Sequence, residues 1–215
     1  MTEDIEQRLD TAPIIPLIQA TDPTTAVETA RALAAGGLTV VEVVLRTEQA
    51  VECLKAVARE VDDVIPGAGT VLNSDQANAV VVAGAGFIVS PGLDEAVVEV
   101  AGKHELPVFP GIATASELQR AWNLGLRAVK FFPAGQAGGI AMIRALGSVF
   151  RDVRFMPTGG VSASNLGEYL GLSSVLACGG SWLTPADAVA GGDYAAITAL
   201  AREAVSIAKS VRGQA

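Results

Sequence analysis

Short apolar runs rich in Val and Ile alternate along the chain with longer segments of helical periodicity. Eight of these runs have the length and composition of parallel strands that are covered on both faces. The predicted strands are 14–18, 40–45, 64–70, 86–92, 107–112, 128–133, 154–160 and 174–181. Helices are predicted between them, for example at 24–35, 48–61, 93–104, 115–124 and 140–150.

Eight strand–helix units in a row predict an α/β protein with the (β/α)8 TIM-barrel fold, with an open doubly wound sheet as the alternative. No linker, charge block or low-complexity segment divides the sequence. We therefore expect one barrel domain over residues 1–215, with a short N-terminal helix. Thr47, Thr114 and Ser162 are predicted N-caps of three helices, because their hydroxyl groups can accept hydrogen bonds from a first helical turn.

The composition is unusually apolar, with 50% hydrophobic and only 18% charged residues. The longest apolar run, residues 79–89, contains two glycines and is much shorter than the roughly 20 residues of a membrane span. Buried parallel strands explain the excess instead. Residues 1–10 have no apolar stretch typical of a secretory signal, and Cys53 and Cys178 are isolated. These features predict a soluble, reduced cytoplasmic protein that does not interact with membranes.

The net charge of −8 argues against nucleic acid as a partner, because nucleic-acid binding requires a basic surface. An anionic ligand would need a local site of a few cations and backbone N–H groups. The single histidine, His104, lies in a polar helical stretch and is expected at the surface. One such residue cannot supply a metal cluster or a Ser–His–Asp triad. No nucleotide-binding glycine motif follows the first strand, so we expect no metal and no cofactor.

Polar and conformationally special residues cluster where the predicted strands end. They are Glu42, Arg46, Thr70, Ser90-Pro91, Pro110-Gly111, Lys130, Thr158-Gly159-Gly160 and Gly179-Gly180-Ser181. The carboxyl ends of barrel strands form the active-site face of this fold. The distribution therefore indicates an enzyme.

Lys130 is the strongest candidate for chemistry, because it lies in the apolar run Ala128-Val129-Lys130-Phe131-Phe132-Pro133. One interpretation is structural, with the stem packed and the ammonium group reaching solvent. The other is a nucleophile: burial among apolar groups favours the neutral amine that can attack a carbonyl. The other lysines (Lys55, Lys103 and Lys209) lie in polar helical stretches.

Glu42 is the second candidate, a carboxylate within the Val-rich run 40–45. An unpaired buried carboxylate is costly, so a partner is required. It is either one member of a structural ion pair or a general acid and base. If the strand continues far enough, Arg46 shares the face of Glu42 and could bind an anion there.

Two glycine pairs form the third signal, at Gly159-Gly160 and Gly179-Gly180. Glycines at strand ends allow a ligand to approach the backbone closely, and N–H groups there bind phosphate oxygens. Barrels often bind phosphate in the loops after strands seven and eight. A single pair usually marks only a turn, but two pairs at these two consecutive strands indicate a phosphate site.

Several stretches resemble the 2-keto-3-deoxy-6-phosphogluconate and 4-hydroxy-2-oxoglutarate aldolases nearly end to end. The stretches are 37–46, Gly67-Ala68-Gly69-Thr70, Ser90-Pro91-Gly92, 125–134, Pro157-Thr158-Gly159-Gly160 and Gly179-Gly180-Ser181-Trp182. The resemblance implies a class I aldolase that cleaves a phosphorylated 2-keto acid to pyruvate and glyceraldehyde 3-phosphate. It also implies a homotrimer.

The resemblance further implies individual roles. Lys130 would form a Schiff base, and Glu42 would transfer protons through a bound water. The residues implied in substrate binding are Arg46 and Thr70 at the pyruvate carboxylate, Pro91 and Phe132 at the pocket wall, and Thr158, Gly159, Gly160, Gly180 and Ser181 towards the phosphate.

One residue departs from the family pattern, since Val44 stands where the family usually has threonine. This change affects substrate preference rather than Schiff-base chemistry. The alternatives are an aldolase for the galactonate epimer or for 4-hydroxy-2-oxoglutarate and, more distantly, a non-catalytic phosphosugar-binding barrel.

Overall fold

The computed structural model describes residues 2–213, except for the side chains of residues 2–4 and 6. These residues form a ring of parallel strands surrounded by helices. The strands are β1 (Ile14–Ile18), β2 (Val40–Val44), β3 (Ile65–Gly69), β4 (Ile88–Val89), β5 (Val108–Phe109), β6 (Gly111–Ile112), β7 (Ala128–Phe131), β8 (Arg154–Pro157) and β9 (Cys178–Gly180). β5 and β6 are two halves of one barrel strand. They are separated by Pro110, which lacks an N–H group.

The strands close into a barrel. One series of parallel neighbours runs from β5 through β4, β3, β2 and β1 to β9, and the other runs from β6 through β7 to β8. Bridges from Phe155 to Val175 and from Thr158 to Gly179 join the β8 side to the β9 side. Since β5 continues directly into β6, the ring is complete. The predicted (β/α)8 barrel is confirmed, and the open sheet is excluded.

Ten helices in the described residues pack around the ring. They are α1 (Thr2–Thr11), α2 (Pro23–Ala35), α3 (Ala50–Glu60), α4 (Ser74–Val82), α5 (Glu95–Lys103), α6 (Ala115–Asn123), α7 (Gly139–Val149), α8 (Ala163–Leu170), α9 (Ala186–Gly191) and α10 (Tyr194–Arg212). The long α10 packs against α2 and α8 and completes the outer layer. Within residues 2–213, no helix is long and apolar enough to cross a bilayer.

The strands end earlier than the sequence predicts. The predicted strand 64–70 stops at Gly69, because Thr70 has a positive φ of 62°. The predicted strand 154–160 stops at Pro157, because Gly159 and Gly160 have φ angles of 88° and 86°. The predicted strands 86–92 and 174–181 shrink to Ile88–Val89 and Cys178–Gly180. The residues thus released from the ladder lie in the loops at the carboxyl end of the barrel.

Two of the three predicted helix caps are confirmed. Thr114 caps α6 by accepting a hydrogen bond from Glu117 N (3.3 Å), and Ser162 is the N-cap of α8. The Thr47 prediction is wrong, because α3 begins only at Ala50. The Thr47 hydroxyl instead donates to the carbonyl oxygen of Ala20 at 2.7 Å and joins the loops after β1 and β2.

Alternation along the strands separates an inner from an outer face. In β2, Val41 and Val43 belong to the large hydrophobic cluster shared with the surrounding helices. Val40 belongs to a second cluster inside the ring. Glu42 has the parity of Val40 and therefore points inward.

The second cluster fills the amino-terminal end of the barrel. It contains Ile15, Val40, Phe87, Val89, Phe109, Met156, Leu176 and Ala177, together with Ile5 and Leu9 from α1. Ile5 and Leu9 are almost fully buried, so α1 acts as an apolar floor. The interior is therefore apolar at one end and carries its ionisable groups towards the other.

Candidate active site

Lys130 is the third residue of β7, and only 3% of it is exposed. Its neighbours Val129 and Phe131 pack outward against the helices, so alternation directs Lys130 into the barrel. The other described lysines, Lys55, Lys103 and Lys209, are exposed as predicted. Burial distinguishes Lys130 from all of them.

Glu42 meets Lys130 inside the barrel. The distance from Lys130 Nζ to Glu42 Oε1 is 3.4 Å, and Glu42 is fully buried. The second carboxylate oxygen, Oε2, has no hydrogen-bond partner among the described residues. A buried oxygen without a partner is costly, so this atom is well suited to interact with a bound group. The Lys130 ammonium group also lies 5.4 Å from the centre of the Phe132 ring, within the range of a cation–π interaction.

Gly69 makes room for the Glu42 side chain. A Cβ atom at position 69 would lie only 2.0 Å from Glu42 Oε1, so any other residue would displace the carboxylate. Gly179 does the same for Thr158, whose Oγ1 lies 2.2 Å from the place of a Cβ. Sequence reasoning assigned Gly69 no individual role and indicated Gly179 only as part of a glycine pair at a phosphate site. The one sequence signal for glycine at these positions is that both lie on the inward face of a strand, where the Glu42 and Thr158 side chains need space.

Arg46 and Thr70 come together at the mouth of the barrel. Arg46 Nε donates to Thr70 Oγ1 at 3.3 Å, and Arg46 is exposed. The sequence predicts that Arg46 shares the face of Glu42 if the strand continues that far. β2 ends at Val44, so strand alternation does not reach Arg46. A turn carries it there instead, with Arg46 N donating to Val44 O at 2.8 Å.

Pro91 and Phe132 lie half-buried in the loops after β4 and β7. Phe132 directly follows the Lys130 strand, and its ring faces the ammonium group. Pro91 belongs to a turn that begins at the buried Ser90. Both residues are at the end of the barrel where the sequence placed them.

The glycine pairs occupy neighbouring loops. Thr158 is buried and bridges to Gly179, so the loop after β8 lies beside β9. Gly159 and Gly160 both adopt the left-handed conformation that favours glycine. Gly160 and Ser181 are exposed, whereas Gly180 is buried against the Trp182 ring. Exposed backbone is therefore available after both strands.

The Lys130 strand is tied to the first glycine pair. The ladder between β7 and β8 continues past both strands, with Ala134 N donating to Thr158 O and Gly135 N donating to Gly159 O, each at 2.9 Å. Lys130 and the loop after β8 are thus parts of one hydrogen-bonded frame.

Other nucleophiles and cavities are less suitable. Cys53 and Cys178 are free and buried, and burial raises the pKa of both thiols, which makes them unreactive. Among residues 2–213, no three His, Cys, Asp or Glu side chains gather into a metal-binding group. A mainly apolar cleft of about 270 Å³ lies between α1 and Phe109 at the opposite end and contains no predicted site residue.

A (β/α)8 barrel that buries a lysine beside a carboxylate is typical of barrel enzymes with an amine nucleophile. A family model for KDPG and KHG aldolases, which act on 2-keto-3-deoxy-6-phosphogluconate and 4-hydroxy-2-oxoglutarate, matches residues 5–200. This chain belongs to the KDPG and KHG aldolase family.

Individual relatives agree over nearly the whole chain. The KHG/KDPG aldolase of Escherichia coli (strain K12) is 50% identical over 204 residues, which cover 95% of this chain and 96% of the relative. The 2-keto-3-deoxy-6-phosphogluconate aldolase of Zymomonas mobilis ZM4, solved with 3-phosphoglycerate, is 40% identical with a TM-score of 0.89. The match covers 98% of this chain and 99% of that one. The KDPG aldolase from Legionella pneumophila, solved with pyruvate as a covalent carbinolamine, is 40% identical with a TM-score of 0.88. The match covers 92% of this chain and 96% of that one.

Thr70 gives a prediction about stability. A β-branched residue at a φ of 62° is strained by about 1–3 kcal/mol, and glycine relieves this strain. Thr70→Gly should therefore leave the free energy of unfolding unchanged or raise it by up to about 2.5 kcal/mol, after the entropic cost of glycine (about 0.5–1 kcal/mol) is subtracted. Urea denaturation measures this change. Thr21→Gly, at an exposed position with ordinary backbone angles, is the control and should lose about 0.5–1 kcal/mol. Equal losses in both variants would contradict the strain.

Proposed function

We propose that this chain is a class I aldolase that cleaves 2-keto-3-deoxy-6-phosphogluconate to pyruvate and glyceraldehyde 3-phosphate. The observation that carries the proposal is the buried contact of 3.4 Å between Lys130 Nζ and Glu42 Oε1 at the active-site end of the barrel. A lysine nucleophile requires burial and a nearby group that accepts its proton. Pyruvate held as a covalent carbinolamine in the Legionella pneumophila relative supports the same chemistry here.

The reaction begins at Lys130. Its ammonium group gives a proton to Glu42, and the neutral amine attacks the C2 carbonyl carbon of the substrate. Glu42 then returns this proton to the hydroxyl group of the resulting carbinolamine, which leaves as water. The iminium ion that remains withdraws electrons from C3, and Glu42 is again a carboxylate. The C3–C4 bond then breaks as the C4 hydroxyl group gives its proton towards Glu42, and glyceraldehyde 3-phosphate leaves. Protonation of the enamine at C3 and hydrolysis of the iminium release pyruvate and regenerate the lysine.

Glu42 is suited to these proton transfers because its two oxygens differ in their surroundings. Oε1 contacts Lys130, whereas Oε2 is buried without a partner among the described residues. A water molecule bound at Oε2 would connect the carboxylate to C3 and to the C4 hydroxyl group. Glu42 therefore acts as general base and then as general acid in this proposal.

The substrate would be held at its two anionic ends. We propose that Arg46 and Thr70, joined by their hydrogen bond, bind the pyruvate carboxylate beside the Pro91 and Phe132 walls. The residues proposed for the phosphorylated end are Thr158, Gly159, Gly160, Gly180 and Ser181. Backbone N–H groups near left-handed glycines favour anions, which matters in a chain of net charge −8. The 3-phosphoglycerate in the Zymomonas mobilis relative combines a carboxylate with a phosphate and supports this arrangement.

4-Hydroxy-2-oxoglutarate is a second candidate substrate. The Escherichia coli relative is named for both substrates, and their pyruvate ends are identical. Contacts at Lys130, Glu42 and Arg46 would serve either one. The galactonate epimer differs only in the configuration at one carbon, and it remains the third candidate. A non-catalytic sugar-binding barrel would leave the buried Lys130–Glu42 pair without a purpose.

A homotrimer is proposed from the family resemblance, together with a place in the cytoplasm. Light scattering coupled to size-exclusion chromatography should then give a molar mass three times the 21.9 kDa of one chain. A mass of one chain at micromolar concentration would contradict the trimer.

Covalent trapping tests the proposed nucleophile. After incubation with pyruvate and borohydride, the intact protein should carry one pyruvate adduct, and peptide mapping should place it on Lys130. Lys130→Met should form no adduct and show no cleavage activity. Lys103→Met, at an exposed lysine, is the matched control and should be trapped like the wild type. An adduct on another lysine would disprove the scheme.

Glu42→Gln separates proton transfer from Schiff-base formation. The variant keeps the shape of the side chain but loses the base, so kcat for cleavage should fall by about 10²–10⁴-fold. Borohydride trapping of pyruvate should still label Lys130, only more slowly. Glu48→Gln, at an exposed residue just past β2, should retain full activity. A loss below tenfold in Glu42→Gln would remove Glu42 from the proposed role.

A further inference from the structure

Ser90 is a buried polar residue to which the proposed reaction gives no role. It directly follows β4 and is 1% exposed. Its hydroxyl group donates to the carbonyl oxygen of Gly92 at 2.7 Å and so closes the turn Ser90-Pro91-Gly92. The last ladder contact before this turn, from Ser90 N to Phe109 O, is already long at 3.4 Å. The Ser90 side chain therefore fixes the turn at a point where the hydrogen bonds between the strands end.

The turn rests on Gly111, the neighbour of Lys130. Gly111 in β6 is the direct cross-strand partner of Lys130, and it has the same inward parity. A Cβ atom at position 111 would lie 2.1 Å from Pro91 O and 2.8 Å from Gly92 N. The backbone of Pro91 and Gly92 thus occupies the space beside Lys130 that a side chain at position 111 would take.

The Lys130 backbone is attached to the same place. Lys130 N donates to Pro110 O at 2.9 Å, directly before Gly111. A shift of the turn would therefore change the distance between Pro91 and Lys130, because Lys130 and Gly111 are fixed to each other. No side chain at Gly111 fills the gap if the turn moves away.

We propose that Ser90 is a positioning residue that holds the Pro91-Gly92 turn against Gly111 and thereby limits the size of the 2-oxo acid that reacts with Lys130. This inference rests on the proposed function, in which the 2-oxo acid is pyruvate. Pro91 forms the wall next to the reacting carbon, and the Ser90 hydroxyl group sets where that wall stands. Loss of the hydroxyl group loosens the wall and admits one more methylene group.

The experiment compares pyruvate with 2-oxobutyrate, which is longer by one methylene group. Exchange of the C3 hydrogens in D2O, followed by NMR, reports enamine formation on either acid and gives kcat/KM for each. A close-fitting apolar wall discriminates against one methylene group by about 10–200-fold. In Ser90→Ala we expect the ratio of kcat/KM for pyruvate to kcat/KM for 2-oxobutyrate to fall at least about fivefold. The KM for pyruvate should rise, and kcat should change less.

Thr29→Val is the matched control. Thr29 is 0% exposed, and its hydroxyl group donates to a carbonyl oxygen, that of Thr25, at the same 2.7 Å, but within α2. Both variants remove one hydrogen bond donated by a buried residue, so thermal unfolding should show similar losses. Thr29→Val should keep the wild-type ratio between the two acids. Ser90→Cys, which keeps the volume and a weak donor, should lie between Ser90→Ala and the wild type.

The outcomes separate this proposal from the proposed function. If the wild type does not exchange the pyruvate hydrogens, the proposed function is wrong and the role of Ser90 falls with it. If the wild type exchanges them and Ser90→Ala keeps the wild-type ratio, only the role of Ser90 is wrong, because the hydroxyl group then serves stability alone. If neither Ser90 variant folds, the hydroxyl group is a folding element and the proposal is also wrong.

Discussion

The buried ion pair between Lys130 and Glu42 is the interaction on which the rest of the structure depends. Removing two charged groups from water costs several kcal/mol for each ion, and their mutual attraction offsets this cost only in good geometry. A pair of apolar residues of similar volume would often be at least as stable. The chain therefore carries this pair at the expense of stability, which is reasonable when both groups serve chemistry.

The barrel accommodates the pair through an uneven interior. Large apolar side chains and α1 line the amino-terminal end of the barrel below Lys130. Towards the carboxyl end, Gly69, Gly111 and Gly179 replace side chains with space. Glu42, the Pro91-Gly92 turn and Thr158 each occupy one of these spaces. The site is thus built from missing side chains as much as from present ones.

The loops around the pair hold their shape by local hydrogen bonds and by unusual backbone angles. Thr70 and the pair Gly159-Gly160 leave the ladder through positive φ angles. Ser90 closes its turn through its hydroxyl group. Because the strands end at these residues, the polar groups turn towards the mouth of the barrel and not into the hydrophobic layer around it.

The sequence by itself determined the architecture and the main chemical groups. Repeated apolar runs predicted the eight barrel strands, since hydrophobic periodicity is a local property. The isolated charges Glu42 and Lys130 within such runs stood out for the same reason. Local patterns also identified Thr114 and Ser162 as caps, because a cap depends on the next few residues.

Only the tertiary structure decided the distances between the parts. Glu42 and Lys130 are 88 positions apart in the chain, and no local pattern shows that their side chains meet. Thr47 resembled a cap, but its hydroxyl group reaches Ala20 on another loop. Glycine is needed at positions 69, 111 and 179 because of atoms in a neighbouring strand (Glu42), turn (Pro91-Gly92) or loop (Thr158). Such constraints arise only when the ring closes, because closure brings distant segments into contact and leaves each inward position one fixed volume.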